Sequence, residues 1–178
     1  MDMTRPPAIA EVAPADFASH VEGLTDVLHA CVHAGASVNF ILPFPRDEAR
    51  AFWTGKVAQA MTGGKRRLWI AHDGTRLLGC VMLDWDTPPN QVHRAEVTKM
   101  LVHPEGRRRG LGRALLLRLL DAARAEGKTL VTLDTTTGSV AQTLYASVGF
   151  EVAGSIPAFS RAPLDDRLEA TTYMYRIL

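Results

Sequence analysis

The chain has 178 residues, of which 47% are hydrophobic and 22% are charged, which is typical of a globular protein and not of a disordered or fibrous one. Its 20 basic and 19 acidic residues give a formal net charge of +1, so the chain lacks the basic excess expected of a nucleic-acid-binding protein. We predict that residues 1–178 form one domain, with a core large enough to need neither disulfides nor a metal.

The cellular location is predicted from the cysteines and the apolar segments. Cys31 and Cys80 belong to no paired motif, which is typical of free buried thiols in a reducing compartment. Residues 1–7 have no basic start followed by an apolar run, and the apolar stretch 114–120 is broken by Arg118 and too short to cross a bilayer. We therefore expect a cytoplasmic protein with no membrane partner.

In chain order, the first half predicts two helices and a β-hairpin. A short strand at 9–12 precedes a helix over 17–33. The apolar residues of that helix recur at helical spacing: Val21, Leu24, Leu28 and Val32. A second helix is predicted over 47–61, followed by two strands, 68–71 and 77–85, that are joined by a glycine-containing turn.

The second half predicts a strand, a strongly amphipathic helix and further strands. The strand covers 93–103, and the helix covers 110–126, with leucines on one half of its surface and arginines on the other. A strand at 129–134 follows, so this strand–helix–strand order predicts a right-handed crossover with parallel strands. A short helix and two strands complete the order: 139–147, 150–152 and 169–177. The order indicates mixed α and β elements around one central sheet.

The loop between the strand and the amphipathic helix has the features of a phosphate site. A helix begins with unpaired backbone N–H groups and a positive dipole end, which together stabilise an anion. Gly110 and Gly112 have no Cβ and allow a close approach, and three arginines precede them: Arg107, Arg108 and Arg109. We predict a seat for a diphosphate; the alternative is a glycine-rich turn with a solvated charged rim. The loop comes too late in the chain for a Rossmann fingerprint and lacks the Gly-Lys-Ser/Thr of a P-loop.

Two motifs in this region resemble those of the GCN5-related N-acetyltransferase (GNAT) superfamily. They are Arg107-Arg108-Arg109-Gly110-Leu111-Gly112 and Ala141-Gln142-Thr143-Leu144-Tyr145-Ala146-Ser147-Val148-Gly149-Phe150. The resemblance implies an α+β fold with a central mixed, mostly antiparallel twisted sheet of six to seven strands flanked by about four helices. It also implies acetyl-coenzyme A (acetyl-CoA) as co-substrate and direct transfer in a ternary complex.

The resemblance assigns the coenzyme contacts residue by residue. The implied contacts are Leu101, Val102, Arg107, Arg108, Arg109, Gly110, Leu111, Gly112, Arg113, Ser139 and Tyr145. One position departs from the common pattern, because Gly138 stands where many members have an asparagine that holds the pantetheine arm. The Ser139 hydroxyl or backbone groups are the candidates to replace that asparagine.

A closer resemblance is to the tabtoxin-resistance branch of the superfamily, which acetylates a β-lactam amino-acid toxin. It rests on residues 33–40, on 94–97, and on 133–135 with 138–141. The resemblance implies an acceptor pocket formed by Ser37, Asn39 and Phe40 and a small-molecule amine as acceptor; the alternative is an ordinary loop between helices. It does not fix the substrate, since close relatives act on other amines.

Tyr145 and Glu96 are the first candidates for the chemistry of acetyl transfer, which needs a base for the amine and an acid for the departing thiolate. The family match places Tyr145 beside the sulfur as the acid; the alternative is a tyrosine packed on the sheet. Period-2 alternation puts Glu96 on one strand face with Thr98, Met100 and Val102. Glu96 is a candidate base and acceptor ligand, and a salt bridge with Arg94 or Lys99 is the equally weighted alternative.

Asp134 is the second carboxylate candidate, because it ends the parallel partner strand of the strand that carries Glu96. Ligands bind at the carboxyl ends of parallel strands, so both carboxylates are expected to flank one crevice, one binding the acceptor ammonium and the other taking its proton. The alternative for Asp134 is a turn residue ahead of 135–138.

Other functions and partners complete the expectations. His29 and His33 share a helix face, but no third ligand is evident and no metal is predicted. A non-catalytic acyl-CoA sensor and an acetyltransferase of protein amines are the alternative functions. Pairing through an edge strand would give a homodimer.

Overall fold

The computed structural model describes residues 7–178. The prediction that the chain begins without a signal peptide is based on residues 1–7, and residues 1–6 lie outside the described residues. Over the described part, the chain alternates helices and strands, with bounds close to those predicted. The strands are β1 (Ala8–Glu11), β2 (Arg66–His72), β3 (Leu77–Asp84), β4 (Arg94–Val102), β5 (Leu130–Thr136), β6 (Glu151–Arg161) and β7 (Leu168–Ile177). The helices are α1 (Phe17–His33), α2 (Arg46–Phe52), α3 (Ala58–Thr62), α4 (Leu111–Ala125) and α5 (Val140–Ser147).

The strands of the described residues form one seven-stranded sheet in the order β1-β2-β3-β4-β5-β7-β6. The β4–β5 pair is parallel, as the crossover through α4 requires, and the other neighbouring pairs are antiparallel. The prediction of a mixed, mostly antiparallel sheet of six to seven strands with about four helices is confirmed, since α2 and α3 continue one another.

The two faces of the sheet are covered by different helices. On one face, α1 and the α2–α3 rod enclose a core that includes Leu24, Leu28 and Trp53. On the other, α4 and α5 pack over a second core that includes Leu115 and Tyr145. A strand residue can therefore be assigned to a face of the sheet. If its two neighbours along the strand belong to one core, its own side chain lies on the opposite face.

Two elements differ from the predicted ones. The second helix is interrupted by a π-helical turn, Trp53–Val57, at which both named residues are fully buried. The strand predicted at 150–152 extends to Arg161 as β6. Because β6 is an edge strand that is exposed along almost its whole length, it lacks the alternation of buried and exposed residues that reveals a half-buried strand.

Candidate active site

The sheet opens between its two parallel strands. Pairing of β4 with β5 covers only Arg94 to Glu96, opposite residues 130–132. Beyond that point β5 remains paired with β7 as far as Thr136, whereas β4 continues to Val102 with β3 as its neighbour. The backbone groups of β4 that point towards β5 after Glu96 therefore lack a strand partner, and a crevice begins there.

A β-bulge lies on β4 next to this crevice. Lys99 has a φ of 47°, and Val81 of β3 stands opposite two residues of β4, because the register runs from Met82↔Thr98 to Cys80↔Leu101. The predicted shared face of Glu96, Thr98, Met100 and Val102 is therefore wrong. Glu96 and Thr98 lie on the α1 side of the sheet, whereas Met100 and Val102 pack in the core under α4. The extra residue reverses the alternation.

The donor loop, residues 103–112, presents an uncapped helix start. Gly110 precedes α4 with a φ of 76°, a left-handed conformation that favours glycine, and no side chain caps the helix. Arg107, Arg108 and Arg109 are exposed beside it. Free N–H groups, the helix dipole and three cations in one place fit the anionic group that the sequence predicts.

Gly112 allows close packing between elements of the site, in addition to the close approach of a ligand that the sequence predicts. A Cβ there would lie 2.8 Å from Leu144 Cδ2 of α5 and 3.1 Å from Met100 Cε of β4. The missing side chain lets the start of α4 approach both elements. The neighbouring Arg113 donates to the Ser147 carbonyl oxygen at 3.1 Å, which joins α4 to α5.

Ser139 has a structural partner of its own. Its hydroxyl caps α5 by accepting from the Gln142 N–H at 3.2 Å, and it shares a hydrogen bond of 3.2 Å with the Thr135 hydroxyl. These contacts hold the end of β5 against the start of α5.

Tyr145 of α5 is buried, with 5% of its surface exposed. Its ring meets Phe150 edge to face at a centroid distance of 5.9 Å. Burial raises the pKa of the phenol above its usual range, and the negative charge of Asp134 raises it further. The phenol is therefore a hydrogen-bond donor at neutral pH, within electrostatic reach of Asp134.

Glu96 and Asp134 share the α1 side of the sheet. Their strand neighbours, Val97 and Leu133, join the core under α4, so alternation turns both carboxylates the other way. Burial raises the pKa of Glu96, Arg94 opposes that effect, and the charge of Asp134 adds to the rise. The predicted contact with Arg94 exists but is loose, at 3.9 Å between Nη1 and Oε2. The Thr98 hydroxyl, on the same side, is buried without a hydrogen-bond partner within residues 7–178.

A cavity of about 220 Å³ opens at the end of β5. Four of the residues predicted for the acceptor line it: Ser37, Asn39, Phe40 and Asp134. Asp134 is held there by Thr171, whose hydroxyl donates to Oδ2 at 3.2 Å. Glu96 is not part of this lining. The remaining lining residues are not assigned to the acceptor by the sequence: Ile41, Thr135, Thr136, Phe159, Ser160, Arg161 and Thr171.

Lys99 is a further residue that sequence reasoning did not place at the site. Its ammonium donates to the Val38 carbonyl oxygen at 3.3 Å and lies 5.3 Å from the Phe52 ring centroid and 5.9 Å from that of Phe40. Burial lowers the pKa of Lys99. The bulge is thereby tied to the loop that lines the cavity. A lysine within a strand gives no sequence signal of this contact.

A metal site at His29 and His33 and membrane-spanning segments were also considered from the sequence. The His29 and His33 rings stack with centroids 4.1 Å apart, and residues 7–178 contain no group of three His, Cys, Asp or Glu side chains that would hold a metal ion. Over the same residues, no helix combines the length and apolar character needed to cross a membrane.

Solved structures similar to this fold include proteins described as acetyltransferases. An acetyltransferase from Salmonella typhimurium, YncA, solved with its cofactor acetyl-CoA, is 25% identical, with a TM-score of 0.73 over 98% of this chain and 95% of that one. A phosphinothricin acetyltransferase from Sinorhizobium meliloti in complex with acetyl-CoA is 20% identical, with a TM-score of 0.77 over 98% of this chain and 89% of that one; at that identity the likeness concerns the fold alone.

Sequence comparison identifies the family. The model of the acetyltransferase (GNAT) domain matches residues 64–152, half of the chain. The chain therefore belongs to the GNAT acetyltransferase family. Human N-acetyltransferase 8 is 35% identical over 88 residues, which make up 48% of this chain and 39% of that protein. The match thus spans about two fifths of the length of this curated relative.

Proposed function

We propose that the protein is an enzyme, an N-acetyltransferase that moves the acetyl group of acetyl-CoA to a primary amine of a small molecule by direct transfer in a ternary complex. One observation carries the proposal: Asp134 lines a cavity at the end of β5, beside the crevice between β4 and β5, and its charge raises the pKa of both Tyr145 and Glu96, so each of these groups lies within electrostatic reach of Asp134. The human relative is named as an N-acetyltransferase and the Salmonella structure holds acetyl-CoA, which supports the same reading.

The donor is proposed to lie along the crevice with its diphosphate at the start of α4. The amide groups of residues 107–112 and the three arginines would hold the diphosphate, because that helix start has no capping side chain. The edge of β4 at Leu101 and Val102, where β5 no longer pairs with it, would contact the pantetheine arm. Ser139 keeps its capping bonds, so its contribution is expected from the backbone around it, and Arg113 is expected to act by holding α4 against α5.

The proposed chemistry uses three side chains. Acetyl-CoA supplies the thioester carbonyl that the amine nitrogen attacks and the thiolate that leaves when the C–S bond breaks. Asp134 binds the acceptor as its ammonium form at the cavity wall, and Glu96, whose pKa is raised by burial, takes the amine proton directly or through water. Tyr145 donates its phenolic proton to the leaving sulfur, since burial keeps that proton on the oxygen at neutral pH.

The acceptor is proposed to be an amino-acid-like toxin or antibiotic. Ser37, Asn39, Phe40 and Asp134, which carry the resemblance to the tabtoxin-resistance branch, line the same cavity. A cavity of about 220 Å³ suits a small molecule better than a protein lysine presented on a folded surface. Acetylation of protein amines is for that reason the weaker alternative.

Binding and turnover together test the proposal. Calorimetry with acetyl-CoA is expected to give saturable heat, and a thiol-release assay with a panel of amino acids and amine antibiotics is expected to give turnover that falls in Glu96→Gln, Asp134→Asn and Tyr145→Phe. Binding without turnover on any amine would favour the acyl-CoA sensor. Full activity in both carboxylate variants would exclude carboxylate catalysis, and an absence of heat would overturn the proposal.

Two partner features belong to the same proposal. The edge strand β6 and its neighbour β7 expose apolar side chains, among them Val152, Ile156 and Phe159, which supports a homodimer formed on that side. Cys31 and Cys80 are both buried free thiols, which supports a cytoplasmic location.

A further inference from the structure

The cavity at the end of β5 carries two opposite charges. Of the eleven residues that line it, Asp134 on β5 is the one acid and Arg161 at the end of β6 is the one base. Most of the other lining side chains are hydroxyls or an amide, and three are apolar. We infer that the acceptor amine also carries a carboxylate and that Arg161 is the residue that binds this carboxylate. The inference rests on the proposed function and names its substrate class.

Arg161 is free to exchange its present partner for a ligand. Its side chain is 55% exposed, and its ion-pair partner Asp166 lies 3.5 Å away and is 95% exposed. An ion pair in that much water contributes little stability, so a bound carboxylate can replace Asp166 at small cost. The planar guanidinium presents two parallel N–H donors, which match the two oxygens of a carboxylate.

Asp134, in contrast, is hydrogen-bonded to the neighbouring strand β7. The one hydroxyl proton of Thr171 is shared between Asp134 Oδ2 at 3.2 Å and the Thr135 carbonyl oxygen at 3.1 Å, so Thr171 links the carboxylate to the strand end that carries it. Asp134 therefore fits the ammonium end of the acceptor, within electrostatic reach of Tyr145 and Glu96, whose pKa values its charge raises. The geometry gives each end of a zwitterion a partner of opposite charge.

Among the basic residues near the cavity, Arg161 is better placed than Lys99 or Arg167 to bind the carboxylate of the acceptor. Lys99 is the closest alternative, but its ammonium is enclosed by the Val38 carbonyl and two aromatic rings and does not line the cavity. Arg167, on the same β6–β7 hairpin, pairs with Glu169 and Asp165 outside the lining. Arg161 is thus the cation with access to a ligand in the cavity.

The test compares amino acids with their carboxamides as acceptors. Each pair keeps the amine and removes only the negative charge, so the ratio of kcat/KM for acid over amide reports carboxylate recognition. We expect the wild-type enzyme to prefer the acid by about tenfold or more, because the neutral amide cannot replace Asp166 as the charged partner of the guanidinium. Arg161→Gln is expected to abolish the preference by losing activity on the acid alone, with the KM for acetyl-CoA unchanged, and Arg161→Lys to restore part of it.

Arg167→Gln is the matched control, an exposed arginine of the same hairpin, and is expected to keep the wild-type ratio. A ratio near one in the wild type, or an equal loss on acid and amide in Arg161→Gln, would overturn the inference while leaving N-acetyltransferase activity intact. If the wild type acetylates neither form of any pair but does acetylate other amines of the panel, the inference alone fails. If it binds acetyl-CoA and acetylates no amine at all, the proposed function fails, and the inference fails with it.

Discussion

Replacing Gly110 by alanine isolates the contribution of the donor loop. Gly110 has a φ of 76°, and a Cβ at this position would meet no atom within 4 Å, so the cost is conformational and not steric. An L-residue in the left-handed region costs about 1 kcal/mol relative to glycine. We expect the free loop of the variant to relax and so avoid that strain. Binding of acetyl-CoA then has to return the loop to the strained conformation, and this cost of about 1 kcal/mol corresponds to a dissociation constant about fivefold weaker.

Gly127→Ala supplies a matched control at the other end of α4. Gly127 has a φ of 69° and equally open surroundings, so it carries the same conformational strain away from the donor loop. In Gly127→Ala, denaturant unfolding is expected to show a loss of about 1 kcal/mol with unchanged acetyl-CoA affinity. In Gly110→Ala, where the free loop relaxes, unfolding is expected to show little loss and calorimetry is expected to show the weaker acetyl-CoA binding. Wild-type acetyl-CoA affinity in a Gly110→Ala protein that is as stable as the wild type would refute the assignment of the loop, because a relaxed loop would then bind the coenzyme equally well.

Three further predictions address the chemistry and the sheet. Tyr145→Phe is expected to lower kcat by about 10–100-fold with little change in the KM for acetyl-CoA; steady-state kinetics in which kcat is unchanged would remove the acid role. Burial raises the pKa of Glu96, so kcat/KM is expected to rise as pH rises through that pKa and Glu96→Gln to lose this limb of the profile. Because the folded state holds that proton more tightly than the unfolded state, Glu96 also makes the free energy of unfolding fall as pH rises through the same window, and Glu96→Gln should flatten that dependence. In Gly79→Ala the new Cβ would lie 2.7 Å from the Leu101 carbonyl oxygen, so urea unfolding is expected to show a loss of about 2 kcal/mol; a stability equal to that of the wild type would contradict this clash.

The elements that the sequence predicts well are those with a one-sided apolar surface. The helix predicted over 17–33 is α1, Phe17–His33, because its apolar residues at helical spacing leave little choice of the buried face. The helix predicted over 110–126 differs from α4 by one residue at each end. The donor loop follows directly, since it is the segment between a strand and the start of that helix.

The elements that the sequence predicts poorly owe their form to neighbouring segments. Nothing within β4 marks Lys99 as the position of a bulge, because no glycine lies there and the pairing with β3 decides where the extra residue goes. The length of β6 is hidden for a related reason, since an exposed edge strand that contains Pro157 and Gly154 shows no alternation. Arg161 lies at the end of that strand, so its place in the cavity could not be predicted.

The bulge also explains how one strand serves both proposed substrates. Before it, Glu96 faces the α1 side, where Asp134 also lies. With unbroken alternation Met100 and Val102 would face that side too, and the start of α4 would lose the contacts that surround Gly112. Because the bulge moves both residues to the opposite side, the first half of β4 faces the proposed acceptor side while the second half supports the start of α4. Lys99, at the point of reversal, donates to the Val38 carbonyl oxygen in the loop that precedes α2, so the position of that loop and the direction of the strand depend on the same residue.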